Sequence, residues 1–441
     1  MGFPEETRAR ESVSYASEIA SAKALAASGS LEGALQNLLG YEKTARLAAD
    51  VGATIQLTTA MVEMCHDAKD WTQLNETMMM LSKRRAQLKQ AVTAMVQLAC
   101  TYLDELETET LKLALIETLR SISEGKMYVE VERARLTQKL AVMQEAKGEL
   151  ETACKLMQDT AVEALGGMDR REKTDFILEQ VRLCLDTKDF IRAHIMAKKI
   201  QIKIFKDVEL EDLKMRYYKL IVRYHTHSHN WMEMFRAYQA MFDSPALKED
   251  TAATERCLKL QLIYLVLSPF DNEQSDQMHA LAKLKSQLEK LPMYKQLLQL
   301  FITKEIFHFA DCKPGLQAEL AAFGHIDAAE QELMLETMHT RVTQHNIQAV
   351  ACYYARISIA RLANLLALAP DAMEKELCAM VSNKQVYARI DRPAGVIKFS
   401  PPKAPNELLN DWSTDISQLL TLLEGSCHLI HKENVIHKIP C

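Results

Sequence analysis

His225-Thr-His-Ser-His229 sets three imidazoles within five residues, and Cys427, His431, His437 and Cys441 add two thiols and two imidazoles near the C-terminus. These residue types hold zinc, tetrahedrally and at about 2 Å. A His-Ser/Thr-His run also begins a zinc-hydrolase signature that continues with Pro and then a spaced Ser and Asp. Here Asn230 follows His229, and the Ser position falls on Arg236 or Tyr238. The ligand set is incomplete, so the run reads as a polar turn between helices. The C-terminal quartet fails on distance. On one helix its two pairs stand ten residues apart, about 15 Å by helix rise. No phosphate-binding Gly-rich loop, dinucleotide fingerprint or nucleophile elbow occurs. Carboxylate pairs are plentiful, but nothing singles one out as an acid/base dyad. No catalytic, cofactor-binding or metal residue is expected, and the chain is read as a non-enzyme.

With no reacting group to position, the elements themselves become the question. The chain has 441 residues, 48% of them hydrophobic, with only 11 Pro and 13 Gly. Such sparse breakers favour long helices. A net charge of −6 argues against a dedicated nucleic-acid binder. The 10 cysteines stand singly, as expected of reduced thiols buried as small hydrophobes. No apolar run, Leu262 to Leu267 among them, is long enough to span a bilayer, and no signal peptide is expected from the first residues. Met78-Met-Met80 reads as core filler, and Lys83-Arg84-Arg85 with Lys89 as a solvated face.

A turn followed by a large apolar residue recurs at Ser28-Gly-Ser-Leu31, Lys69-Asp-Trp71, Gly148-Glu-Leu150, Lys188-Asp-Phe190 and His229-Asn-Trp231, with Thr110-Leu111 as a weak member. Successive anchors lie 40 or 41 residues apart, or 79 across the weak member. That is the period of TPR-like or HEAT-like helical hairpins, which bury their apolar stripes by stacking. Val181, Leu183, Cys184 and Leu185 before the Lys188 turn, and Ile191, Ile195 and Ile202 after it, sit at helical offsets and are expected inside. If Trp71 is a core anchor, Trp71→Ala should cost roughly 3–5 kcal/mol.

The segment from Tyr354 to Phe399 reads as a winged helix. A short strand leads to Ser358, which can cap a helix with an apolar face of Ile359, Leu362, Leu365 and Leu366. Pro370 opens a second helix burying Met373, Leu377, Met380 and Val381. Two β-rich runs, Val386–Ile390 and Val396–Phe399, flank the turn Asp391-Arg-Pro-Ala-Gly395. The second helix carries Asp371, Glu374 and Glu376 against a lone Lys375, so it would repel phosphates. Basic Lys384, Arg389, Arg392, Lys398 and Lys403 suit a solvated face or a protein contact.

Pro401, Pro402 and Pro405 then make a stiff linker. Beyond it Leu409, Trp412, Ile416, Leu419, Leu423 and Ile430 recur as a heptad-like seam. A lone helix cannot bury such a seam, so it packs either on its own body or on partner helices. The latter is favoured because the linker detaches it.

Helical repeats feeding a winged helix resemble the PCI family, which scaffolds the proteasome lid, the signalosome and a translation initiation factor. Long runs are similar to a lid subunit of that family. They include Leu81-Ser-Lys-Arg-Arg-Ala-Gln-Leu-Lys-Gln-Ala-Val92, Tyr128-Val-Glu-Val-Glu-Arg-Ala-Arg-Leu-Thr137, Phe176-Ile-Leu-Glu-Gln-Val-Arg-Leu-Cys-Leu185, Ser268-Pro-Phe-Asp-Asn-Glu-Gln-Ser-Asp276, Tyr353-Tyr-Ala-Arg-Ile-Ser358, Ile390-Asp-Arg-Pro-Ala-Gly-Val-Ile397 and Leu408-Leu-Asn-Asp-Trp412. Residues 304–340 and the N-terminus depart from it. The resemblance implies a mainly α fold. A TPR-like or HEAT-like solenoid occupies 1–340, with the PCI helical part from about 230. A winged helix follows at 341–400, and a linker with an assembly helix at 401–441. It implies a non-catalytic scaffold, cytoplasmic and nuclear, supporting lid assembly and ubiquitin-dependent degradation. Implied partners are other lid PCI subunits, the lid deubiquitinase subunit, the ATPase ring and the core particle, with no nucleic acid and no membrane. The alternatives are the equivalent signalosome subunit, a stand-alone TPR-like adaptor, and a zinc hydrolase.

Overall fold

The structure is a computed structural model that describes residues 15–106, 108–245, 247, 250–323, 327–400 and 404–438. Pro401, Pro402, Lys403, Cys441 and the first residues of the chain lie outside the described residues. The fold is mainly α, with 21 α-helices and three short strands among the described residues. The chain divides into two units, Met1–Ser228 and His229–Cys441.

In the first unit α1 (Ala16–Ala27), α2 (Leu31–Leu47), α3 (Val51–Asp67), α4 (Trp71–Ser82), α5 (Lys89–Glu105) and α6 (Glu109–Ser123) are followed by α7 (Glu130–Ala146), α8 (Leu150–Gln158), α9 (Arg170–Asp186), α10 (Phe190–Lys199) and α11 (Glu211–Ser228). Most pack on their sequence neighbours, although α4 packs on α3 and α6 rather than on α5. The first helix of one pair also packs on that of the next, as α3 does on α5 and α9 on α11. The recurring turn is a helix stop fused to a helix start. Gly29, Ala49, Lys69, Gly148 and Lys188 all take positive φ, between 55° and 94°. The next residue's N–H reaches back to the carbonyl of Leu25, Ala45, Cys65, Gln144 or Cys184, which closes a Schellman motif. Asp50, Asp70 and Asp189 then accept the N–H of Ala53, Gln73 and Arg192, at 3.1, 3.1 and 3.2 Å, and so cap the following helix. The turn at Ala49 was not expected from the sequence. Thr110-Leu111, by contrast, lies inside the first turn of α6 and makes no such link.

Three expectations about this unit change. Ile191, Ile195 and Ile202 are exposed, at 77%, 52% and 60%. α10 turns its small residues Ala193 and Ala197 inward instead, since close helix approach leaves no room for a β-branched side chain. Trp71 is only half-buried. It meets His66 edge-on, while His66 stacks on Tyr102 with centroids 3.9 Å apart. The basic cluster at Lys83 is also not wholly solvated. Arg84 and Arg46 reach the fully buried Glu42 at 2.7 and 3.0 Å.

The second unit contains α12 (Trp231–Phe242), α13 (Thr251–Leu267), α14 (Asn272–Ala282), α15 (Lys285–Leu288), α16 (Pro292–Ile302), α17 (Phe309–Ala322) and α18 (Ala328–Tyr353). The apolar Leu262–Leu267 run is the buried C-terminal end of α13, which packs on α12, α14, α16 and α18. Gln274 stops α13 by donating to the carbonyls of Leu265 and Ser268, both at 2.9 Å. α18 continues through position 340 without a break.

The winged helix follows as β1 (Arg356–Ser358), α19 (Ile359–Leu366), α20 (Pro370–Ser382), β2 (Arg389–Asp391) and β3 (Val396–Lys398). Its sheet runs β1-β3-β2, antiparallel throughout, with Ile357 opposite Ile397 and Ile397 opposite Ile390. The Ser358 hydroxyl caps α19 through Arg361 N–H. Leu362, Met373, Leu377, Met380 and Ile397 fill the core with Ile347 and Val350 of α18. Gly395, at φ 61°, closes the wing, and its carbonyl accepts the Ile359 N–H at 2.9 Å. The last helix is α21 (Pro405–Ile436).

Candidate assembly surface

α21 is 32 residues long and has no buried residue. Pro405 occupies its first turn, and Glu407 accepts the Ala404 N–H at 3.4 Å. These features start the helix locally, without tertiary help. Leu409, Trp412, Leu419, Leu423 and Ile430 are between 53% and 64% exposed, and Ile416 is 38% exposed. All six lie on one stripe of the helix. Sequence reasoning missed a second row, Leu422, Leu429 and Ile436, exposed at 70%, 63% and 58%. Its sevenfold spacing was the available signal. Two adjacent apolar rows ask for more than one partner helix, because a seam for one partner is a single narrow stripe.

A contiguous exposed apolar face of this kind is the usual mark of an interaction surface. At about 25 cal/mol per Å² of apolar surface buried, covering it is a strong driving force for association.

The winged helix offers a second surface. Strands β1 and β2 are both sheet edges, so each keeps one row of backbone donors and acceptors unpaired within the sheet. Its second helix and wing are tied together by Arg392 Nε donating to Glu374 at 2.7 Å. That pair spends one wing cation on a carboxylate of the same unit.

The histidine run does not assemble a site. His225 is buried in the last turn of α11, and His227 stacks on Phe190 with centroids 3.7 Å apart. His229 takes φ 51° in the turn, and Asn230 caps α12. Cys427, His431 and His437 lie on or just past α21. Among the described residues no three His, Cys, Asp or Glu side chains group as metal ligands. Among the described residues the cysteines are free, but not uniformly buried. Cys65, Cys154, Cys184 and Cys257 are inside, while Cys352, Cys378 and Cys427 are exposed. Among the described residues no helix is long and apolar enough to cross a membrane.

Comparison with known proteins covers the same segments. Residues 33–250 match the family described as PSMD12/CSN4, N-terminal, residues 296–401 match the PCI domain, and residues 406–438 match the 26S proteasome regulatory subunit RPN5 C-terminal domain. The chain is 41% identical to the 26S proteasome non-ATPase regulatory subunit 12 homolog A of Arabidopsis thaliana, across 93% of this chain and 98% of that protein. It is 40% identical to the 26S proteasome non-ATPase regulatory subunit 12 of Dictyostelium discoideum, across 94% and 92%. It is 33% identical to the 26S proteasome regulatory subunit RPN5 of Saccharomyces cerevisiae, across 92% and 91%.

Proposed function

The chain belongs to the family of 26S proteasome non-ATPase regulatory subunit 12, or RPN5, and from that premise we propose how it works: as a non-catalytic scaffold of the regulatory particle lid that acts by being covered. The observation that carries this is α21, an exposed apolar helix in the segment that matches the RPN5 C-terminal domain. Leu409, Trp412, Ile416, Leu419, Leu423 and Ile430, with the second row Leu422, Leu429 and Ile436, form its assembly surface. Partner helices bury them in a bundle. The edges β1 and β2 of the winged helix meet neighbouring PCI subunits by extending the sheet. The repeats of the first unit reach the lid deubiquitinase subunit, the ATPase ring and the core particle. The chain so assembled serves ubiquitin-dependent degradation in cytoplasm and nucleus. The match of the tail to a proteasome subunit, and the full-length similarity to proteasome subunits, favour this assembly over the signalosome.

Affinity purification of the tagged chain from cells tests the proposal. Co-purifying lid and ATPase subunits are expected. A cullin-directed complex would move the chain to the signalosome, and a free species with no stoichiometric partner would contradict the scaffold reading.

A further inference from the structure

A cavity of about 520 Å³ opens in the second unit, walled by α13, α14, α16, α18 and the segment entering β2. Its charge is one-sided. Arg341, Lys304, His279 and His345 line it, and no Asp or Glu does. Arg341 is the cavity's most sheltered cation. Half-buried Arg46, Arg182 and Arg216 all meet carboxylates, whereas Arg120, like Arg341, makes no ion pair among the described residues. Arg341 donates Nε to the Leu267 carbonyl at 3.0 Å and Nη1 to the Gln344 side chain at 2.7 Å, and makes no ion pair among the described residues. Glu376 is the carboxylate whose field it feels, and burial holds its pKa below the ordinary arginine value. A sheltered guanidinium without a counter-ion is costly, and an incoming carboxylate removes that cost.

Two further lining groups lack partners. Gln348 Nε2 and Gln385 Oε1 are shut off from water and bond to nothing among the described residues, whereas Gln385 Nε2 donates to the Phe270 carbonyl at 3.3 Å. The apolar part of the wall is formed by Met278, Phe301, Val386 and Phe399 beside polar Ser268, Gln274 and Ser275, and its rim holds Phe270 and Tyr387, exposed at 42% and 55%. Large aromatic rings at an open mouth suit a chain that passes in and out better than a small molecule enclosed on all sides.

We propose that this cavity is a socket for a peptide segment of a lid neighbour in which an Asp or Glu stands beside an aromatic or aliphatic residue, the carboxylate pairing with Arg341 and Lys304 and the apolar side chain filling the wall. This rests on the lid reading above and names a contact distinct from α21 and the sheet edges.

Cys352, an exposed thiol at the cavity's lining, provides the readout. N-ethylmaleimide labelling of Cys352 is followed by mass spectrometry in the purified chain and in the assembled lid. Labelling at least about tenfold slower in the lid is expected. Arg341→Gln or Lys304→Gln should restore most of the rate while the lid still assembles, and circular dichroism of each variant checks its fold. A benzophenone placed on Cys352 should cross-link to an acidic, apolar stretch of a neighbour in the parent lid and not in the variants. Equal labelling of free chain and lid would overturn the socket alone. So would protection that both variants leave untouched, or a bound non-peptide ligand found by native mass spectrometry. A chain that never enters a lid would overturn the lid reading first, and the socket with it.

Discussion

Arg182 grips Glu145 with two parallel hydrogen bonds, Nη1 to Oε1 and Nη2 to Oε2, both 2.7 Å. The pair links α9 to α7 across 37 residues, and the same separation recurs in Arg135 with Glu172, Arg216 with Glu179, Arg223 with Asp186 and Arg236 with Glu273. Arg182 also meets Glu179 at 2.7 Å and Asp186 at 3.2 Å. Forked, half-shielded pairs of this kind stabilise more than single exposed ones. Arg182→Ala is expected to cost about 1.5–3 kcal/mol in urea unfolding of the chain. Arg182→Lys should recover only part of it, because an ammonium cannot fork.

The same pair sets a pH dependence. The hydrogen bond from Arg182 holds the Glu145 carboxyl below its ordinary value. A carboxyl whose folded pKa is depressed contributes stability above the unfolded pKa, about 4.3, and loses it as pH falls through the lower folded value. Parent chain and Glu145→Gln should therefore differ most in unfolding midpoint near neutrality and converge below about pH 4. A constant difference across that range would show that the pair does not titrate with folding.

Lys188 occupies the left-handed region at φ 61°, where a side chain costs about 1–2 kcal/mol. Glycine has no such penalty but loses more chain entropy. Lys188→Gly should gain up to about 1 kcal/mol in unfolding free energy. Asp189→Ala, which removes the cap on α10, should lose about 1 kcal/mol. Denaturant midpoints of the two variants should move in opposite directions.

Trp71→Ala is now expected to cost roughly 1.5–3 kcal/mol, less than a core tryptophan would. Trp71 is half-buried, and its ring meets that of His66 in a T-shaped contact. A loss above about 4 kcal/mol would restore the core-anchor reading.

The parts of this fold legible in the sequence are those encoded locally. Lys69-Asp70 and Lys188-Asp189 announce a helix stop and a cap within adjacent residues, whatever lies across from them. The winged helix was readable from Pro370, Gly395 and the spacing of Met373, Leu377 and Met380. What escaped depended on neighbours. Ile191 and Ile195 share helical spacing with buried residues, but helix-to-helix distance decides that Ala193 and Ala197 face inward. Arg–carboxylate pairs 37 residues apart were visible as letters, yet nothing local marks them as partners. On α21 the heptad seam is legible and the parallel row at Leu422 is not, because Leu422, Leu429 and Ile436 fall beside the single narrow stripe that one heptad register marks. The socket around Arg341 draws on α13, α16, α18 and the winged helix together, so no contiguous motif records it.

The most direct measurement concerns α21. Because no residue of that helix is buried in the chain, Trp412→Ala combined with Leu419→Ala should leave the melting temperature of the isolated chain unchanged. The same double variant should compete poorly with the parent for lid incorporation. Truncating central apolar anchors costs 2 kcal/mol or more, roughly thirtyfold in occupancy. Native mass spectrometry of lids assembled from an equal mixture of isotopically labelled parent and unlabelled variant reads that ratio. Strong exclusion of the variant is the expected result, and incorporation at parity would contradict the tail as the surface on which this subunit is assembled.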